Sequence, residues 1–202
     1  MKKKLTLLAI VAAIILIWIG MVKVVSIQDA KMAADTVVPA DGWKAYSNTS
    51  LGFEAQIPED FTVDESYFNY ALGPGREIPG VAFDIPASMA TGTNLSVDSR
   101  VSVEVLSRAA CVPSDFVDTQ STGTPVTIGG NSYLSAISAG AGAGNRYDES
   151  IYVTKQHELC YGVRFFIHST AIENYEPGTR RVFDRDTLMS TFKKIAETIQ
   201  FI

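Results

Sequence analysis

The chain has 202 residues, 47% of them apolar and 19% charged, with 15 Gly and 8 Pro; this is the balance of a globular protein and excludes a disordered or collagen-like chain. Four of the 17 Lys and Arg precede residue 26 and none of the 22 Asp and Glu does, so the remainder carries a formal charge of −9. That excess, without a basic stripe interleaved with aromatics, sets nucleic acid aside as a partner.

Lys2, Lys3 and Lys4 open the chain, and no charge follows from Leu5 to Val22. A helix of that length reaches about 27 Å, close to the ~30 Å of a bilayer's hydrocarbon core. No small-x-small cleavage site follows closely, since Val38-Pro39-Ala40 lies far downstream, and no cysteine follows that could carry a lipid. The expectation is an uncleaved transmembrane signal-anchor over residues 1–25, with a removed signal as the competing reading. Three lysines before the apolar run and one after it put the N-terminus in the cytoplasm and the rest of the chain outside it. Residues 26–41 read as a spacer ending in Pro39-Ala40-Asp41-Gly42, and residues 42–202 as one extracytoplasmic α+β domain.

Within that domain Leu51, Phe53, Ala55 and Ile57 alternate with Gly52, Glu54 and Gln56, which predicts a strand with one apolar face, between turn residues 48–50 and 58–60. Residues 67–79 read as loop. Val81, Phe83 and Ile85 begin another strand, and Val101, Val103 and Val105 a further one, alternating with Ser102 and Glu104. The run CVPSDFV holds a helical turn near Pro113 or Ser114, and PVTIGGNSYLSAI is a hairpin around Gly129 and Gly130. Strands are expected near IYVT and from Cys160 onward, joined by a turn at KQHE. In the second of these Tyr161, Val163, Phe165 and Ile167 take one face, and Cys160, Gly162, Arg164, Phe166 and His168 the other. Near the end, Leu188, Met189, Phe192, Ile195 and Ile199 recur at helical intervals, with Asp184 or Asp186 as N-cap; Ile199, Phe201 and Ile202 have the alternative of a short closing strand.

The segment HELCYGVRFFIHST holds both histidines and one of the two cysteines. Cys160 and His168 are eight positions apart on one strand, roughly 26 Å at about 3.3 Å per residue, so they cannot act as a pair. In an extracytoplasmic domain the two cysteines read as a Cys111–Cys160 disulfide. The rival is a reactive thiol at Cys160 beside His157 and Arg164. His157-x-x-Cys160 alone does not make a zinc site, and no metal, cofactor or catalytic set is expected. The run AGAGAGN lacks the Lys-Ser/Thr of a phosphate loop and reads as a hairpin connection; its functional reading is a mobile binding loop of Gly140, Gly142, Gly144 and Asn145. The adjacent carboxylates Glu59-Asp60, Asp64-Glu65 and Asp148-Glu149, and the basic residues Arg180, Arg181, Arg185, Lys193 and Lys194, read as solvated surface. Neither Gly-x-Ser-x-Gly nor His-Glu-x-x-His occurs.

The stretch YSNTSLGFEAQIPEDFTV, residues 46–63, resembles the opening of PsbP-like domains: an aromatic and a turn, then Gly-aromatic-x-small-x-apolar-Pro, then an aromatic and a β-branched residue. The resemblance implies an antiparallel sheet packed by helices, with a C-terminal helix, and assigns no functional residue; the membrane anchor departs from that family's soluble or lipidated members. Together these readings describe a membrane-anchored binding or accessory domain, with the membrane and an envelope protein as candidate partners. The alternative is an extracytoplasmic hydrolase or thiol-dependent enzyme using Cys160.

Overall fold

The computed structural model describes residues 39–202, so the expected signal-anchor and most of the spacer lie outside the described residues. Strands come first. Strands β1 (Trp43–Asn48) and β2 (Phe53–Pro58) form a hairpin, and the two-residue β11 (Gln200–Phe201) joins the other side of β2, giving a three-stranded antiparallel sheet. The larger sheet uses β3 (Thr62–Asp64), β4 (Phe68–Asn69), β5 (Ile78–Asp84), β6 (Arg100–Leu106), β7 (Thr124–Ile128), β8 (Asn131–Gly142), β9 (Asn145–Gln156) and β10 (Leu159–Thr170). Its order is β3-β5-β6-β10-β9-β8-β7, with β4 beside β5, and every pairing is antiparallel. Among the described residues, a single turn, α1 (Ala87–Ala90), one amphipathic helix, α2 (Arg185–Glu197), and two short 3₁₀ turns complete the regular structure. Among the described residues, no helix is long and apolar enough to cross a membrane.

Period-two alternation gives the large sheet two different faces. On the first, Val101, Val103 and Val105 of β6 stand opposite Phe165, Val163 and Tyr161 of β10, and Phe83 and Val81 of β5 extend the row. Leu188, Phe192 and Ile195 of α2, with Phe53, Ala55 and Ile57 of β2, close over this row as the main core. Asp184 caps α2, its carboxylate accepting from the Thr187 amide at 3.0 Å, while Ile199 stays buried beyond the helix and Gln200–Phe201 turns into strand. The helix and the closing strand are therefore both present, in succession.

The second face carries Ser102 and Glu104 of β6 and Cys160, Gly162, Arg164, Phe166 and His168 of β10. It is covered at one end by residues 107–123, which cross it as an irregular segment with a 3₁₀ turn at Pro113–Asp115. Phe116, Val117, Ile78, Ile151, Val153 and Cys160 form a smaller core there. Gly162 leaves room for the Phe116 ring: a Cβ at residue 162 would lie 2.5 Å from it. The cysteines bridge as expected, with 5.4 Å between the Cα atoms of Cys111 and Cys160, and tie this segment to β10.

The 139–145 run makes the hairpin connection expected of it, with most of its residues in strand. Gly140 and Gly142 belong to β8, and only Ala143 and Gly144, both at positive φ, turn the chain into β9. Twelve residues of β9 pair with β10 without interruption, and β8 follows them up to Gly142, so small side chains in this run extend a strand.

Candidate functional site

Where residues 107–123 end, the second face stays open, and the side chains there form a graded floor. Deepest is an ion-pair network. Arg164 and Glu104 are 2% and 0% exposed. The Arg164 guanidinium donates from Nε (2.7 Å) and Nη2 (2.9 Å) to the two oxygens of Glu104, from Nη1 to Glu149, and from Nη2 to the Phe116 carbonyl (2.6 Å). Glu104 also accepts from Tyr67 Oη (3.2 Å), Asn69 Nδ2 (3.1 Å) and Ser102 Oγ (3.0 Å). Two charges can stay buried only with such saturation, because each unmet lone pair or N–H carries its full desolvation cost. Burial works against the Arg164 charge, yet the facing carboxylates outweigh it and hold the proton more firmly than in water. Burial, and then the Glu104 charge, push the Tyr67 phenol up to about 12.

One register step along, Asp84 of β5, Arg100 of β6, Phe166 of β10 and Glu149 of β9 stand side by side. The Arg100 guanidinium lies over the Phe166 ring at 4.6 Å and the Tyr67 ring at 5.1 Å, and its Nη1 donates to the Asp98 carbonyl at 2.8 Å. Both ring faces attract the cation. Its Nε is buried and has no partner among the described residues. A cleft of about 600 Å³ opens above, lined by Asp64, Asp84, Asp98, Arg100, Tyr67 and the exposed Phe68, Tyr70 and Val97, among others. A second hollow of about 240 Å³ runs from Tyr70 past Arg100 to Glu149, Arg164 and Phe166. Tyr67, Phe68, Tyr70 and Arg100 line both. Burial raises the Asp84 carboxyl above its usual range against the pull of Arg100, with Asp64 and Asp98 adding to the rise.

Beyond Phe166, Tyr147 stacks on His168 with ring centroids 4.6 Å apart, and His168 Nδ1 meets the Asp98 carboxylate at 2.9 Å. Burial raises Asp98, but hydrogen bonds from Ser96 and His168 outweigh it and the carboxyl ends below its ordinary value. His168 Nε2 is buried without a partner among the described residues, so no hydroxyl or thiol is placed there for it to activate.

The residues singled out in the sequence are scattered relative to this cleft. Cys160 is fully buried in its bridge, His157 sits exposed in the β9–β10 turn at φ 53°, and Arg164 faces Glu104. No free cysteine is present among the described residues, so thiol chemistry at Cys160 requires reduction of the bridge first. Gly140, Gly142, Gly144 and Asn145 lie at the β8–β9 tip, where the Gly144 carbonyl accepts from the Ala171 amide (2.8 Å) and Asn174 Nδ2 (3.0 Å). Arg185 pairs with Asp148 at 2.6 Å, and both remain on the solvated surface. No group of three or more His, Cys, Asp or Glu suited to a metal occurs among the described residues. What the sequence reading missed is Arg100 with its aromatic neighbours; the only local sign was four aromatic or amide residues in succession at Tyr67-Phe68-Asn69-Tyr70.

No family model matches the chain, and no curated protein matches it in sequence. Among solved structures it is similar to a crystal structure from Bacteroides thetaiotaomicron VPI-5482, 12% identical with a TM-score of 0.50, over 80% of this chain and 49% of that one. The chain thus spans about half the length of that protein. It is also similar to the solution structure of cyanobacterial PsbP from Synechocystis sp. PCC 6803 (18% identity, TM-score 0.35, 84% of this chain and 98% of that one). A third is LpqN, involved in cell envelope biogenesis of Mycobacterium tuberculosis (11% identity, TM-score 0.37, 80% and 86%). A PsbP structure, of the family that residues 46–63 resemble, stands among these neighbours.

Proposed function

We propose that the chain is a membrane-anchored, extracytoplasmic accessory domain that works by binding, with the cleft around Arg100 as its binding surface. The observation that carries the reading is the cleft itself: about 600 Å³, within the size range of ligand sites, with exposed Phe68 and Tyr70 at its rim and a guanidinium in its floor. The anchor rests on the uncharged run Leu5–Val22 behind three lysines. The Cys111–Cys160 bridge supports an oxidising compartment for the domain, since structural disulfides persist there and are rare in a reducing cytosol. An envelope complex is the partner this placement favours.

Expression of the full chain in a bacterium tests the placement. The protein is expected to stay in the membrane pellet through alkaline carbonate extraction, to keep the mass of the uncleaved chain, and to lose its domain to protease added to spheroplasts. Recovery in the soluble fraction, or a mass short of the first residues, would overturn the anchored reading.

A further inference from the structure

The chemistry around Arg100 narrows the ligand class. Asp84 and Arg100 occupy adjacent register positions on β5 and β6, so an acceptor-only carboxylate and a donor-only guanidinium face the same small volume. A carboxylate ligand that meets Arg100 also meets Asp84 and, across the cleft, Asp64 and Asp98. A cationic ligand that meets those three also meets Arg100, whose guanidinium lies over two rings. A hydroxyl escapes both conflicts, because it donates to the carboxylate and accepts from the guanidinium at once. Arg100 and Asp84 both line the cleft, and no hydrogen bond joins them among the described residues, so an oxygen placed between them would meet both.

The rim adds a second requirement. Phe68 and Tyr70 are 45% and 66% exposed, with ring centroids 6.3 Å apart. Their faces attract the slightly positive C–H groups of a partner while shedding water from apolar surface. A pyranose ring meets both requirements, being polar around its edge and presenting C–H groups on its face.

Resting on the reading of this cleft as the binding surface, we infer that its ligand is an uncharged glycan segment, with hydroxyls shared between Asp84 and Arg100 and a sugar face laid on Phe68 and Tyr70.

The test is nuclear magnetic resonance titration of the full chain in a zwitterionic detergent free of sugar headgroups. Four probes are compared: the N-acetylglucosamine tetramer, the glucose tetramer, an oligogalacturonate and tetralysine. At least one neutral tetramer is expected to bind saturably, to shift resonances of Tyr70, Arg100 and Phe166, and to keep its affinity as salt is raised, because no ion pair is screened. Tyr70→Ala, at an exposed position, is expected to weaken that binding roughly two- to tenfold with the rest of the spectrum unchanged. Arg100→Lys, which keeps the charge and loses the planar fork, is expected to weaken it as well. The inference is overturned if neither neutral tetramer binds, if a charged probe binds more tightly than both, or if the shifts map away from the cleft. A charged probe that binds more tightly within the cleft removes the glycan alone; shifts that map away from the cleft, or no binding by any probe, remove the cleft reading with it; the topology experiment bears on the anchor and not on the ligand.

Discussion

Arg164 stands in the middle of β10, and its neighbours leave it only one acceptable state. Replacing it with Met keeps the volume roughly filled but strands Glu104, 0% exposed, without its only cationic partner among the described residues. Loss of one member of a buried pair costs about 3–5 kcal/mol, because the orphaned charge remains desolvated. Arg164→Met is therefore expected to lower stability by that amount in urea denaturation, and pairing it with Glu104→Gln is expected to restore part of the loss. Equal losses in the single and double variants would show that side-chain packing, and not the stranded charge, sets the cost. Arg100 is the contrasting case: it too is a guanidinium on the second face, but it lies over the Tyr67 and Phe166 rings in the lining of the open cleft.

At the scale of elements, the segment 107–123 converts what would be a solvated face into a second core, and the disulfide is what holds it by a covalent bond. The bridge spans 49 positions, for which chain-entropy reasoning gives about 4 kcal/mol. Cys111→Ser with Cys160→Ser is expected to reduce stability by roughly 2–5 kcal/mol and to raise amide exchange over residues 107–123 before that of β6 or β10. Uniform loss of protection across the sheet would mean that the segment is integral to one cooperative unit. This element also explains what could be read in advance. The alternation in β2, β6 and β10, the spacing of α2 and the pairing of the cysteines were legible because each is local or forced by composition. Glu104 in RVSVEVL carries no mark that its face is covered, since a strand's sequence records alternation and not what crosses it. The cleft was invisible for a related reason. Asp84, Arg100, Phe166 and Glu149 come from four strands and meet only through the sheet register.

Residues 39–202 form two cores back to back on one sheet, and two buried tyrosines limit the alkaline range of this domain. Tyr67 lies on the open-cleft side, and Tyr133 packs in the main core; burial is the first cause that raises each to about 12 from an ordinary value of 10.0. A raised pKa means that the folded state holds the proton more tightly. The associated stability is complete below pH 10 and is lost as pH rises from 10 towards 12. Each phenol contributes about 2–3 kcal/mol on this basis. Melting temperature is expected to fall steeply across that interval, and Tyr133→Phe is expected to flatten part of the fall; a flat profile to pH 12 would contradict the burial of both phenols.

The two faces of β10 have a consequence for assembly of the sheet. Every odd position from Tyr161 to Ile167 belongs against the helix, and Arg164 belongs opposite Glu104. If β10 met β6 one residue out of alignment, a guanidinium would face the side chains of Phe192 and Ile195, and aromatic rings would press on a carboxylate. Misaligned sheets are thereby charged an electrostatic penalty that no rearrangement of apolar side chains relieves. The buried pair acts as an index pin, admitting one alignment of β10 against β6 and rejecting its neighbours.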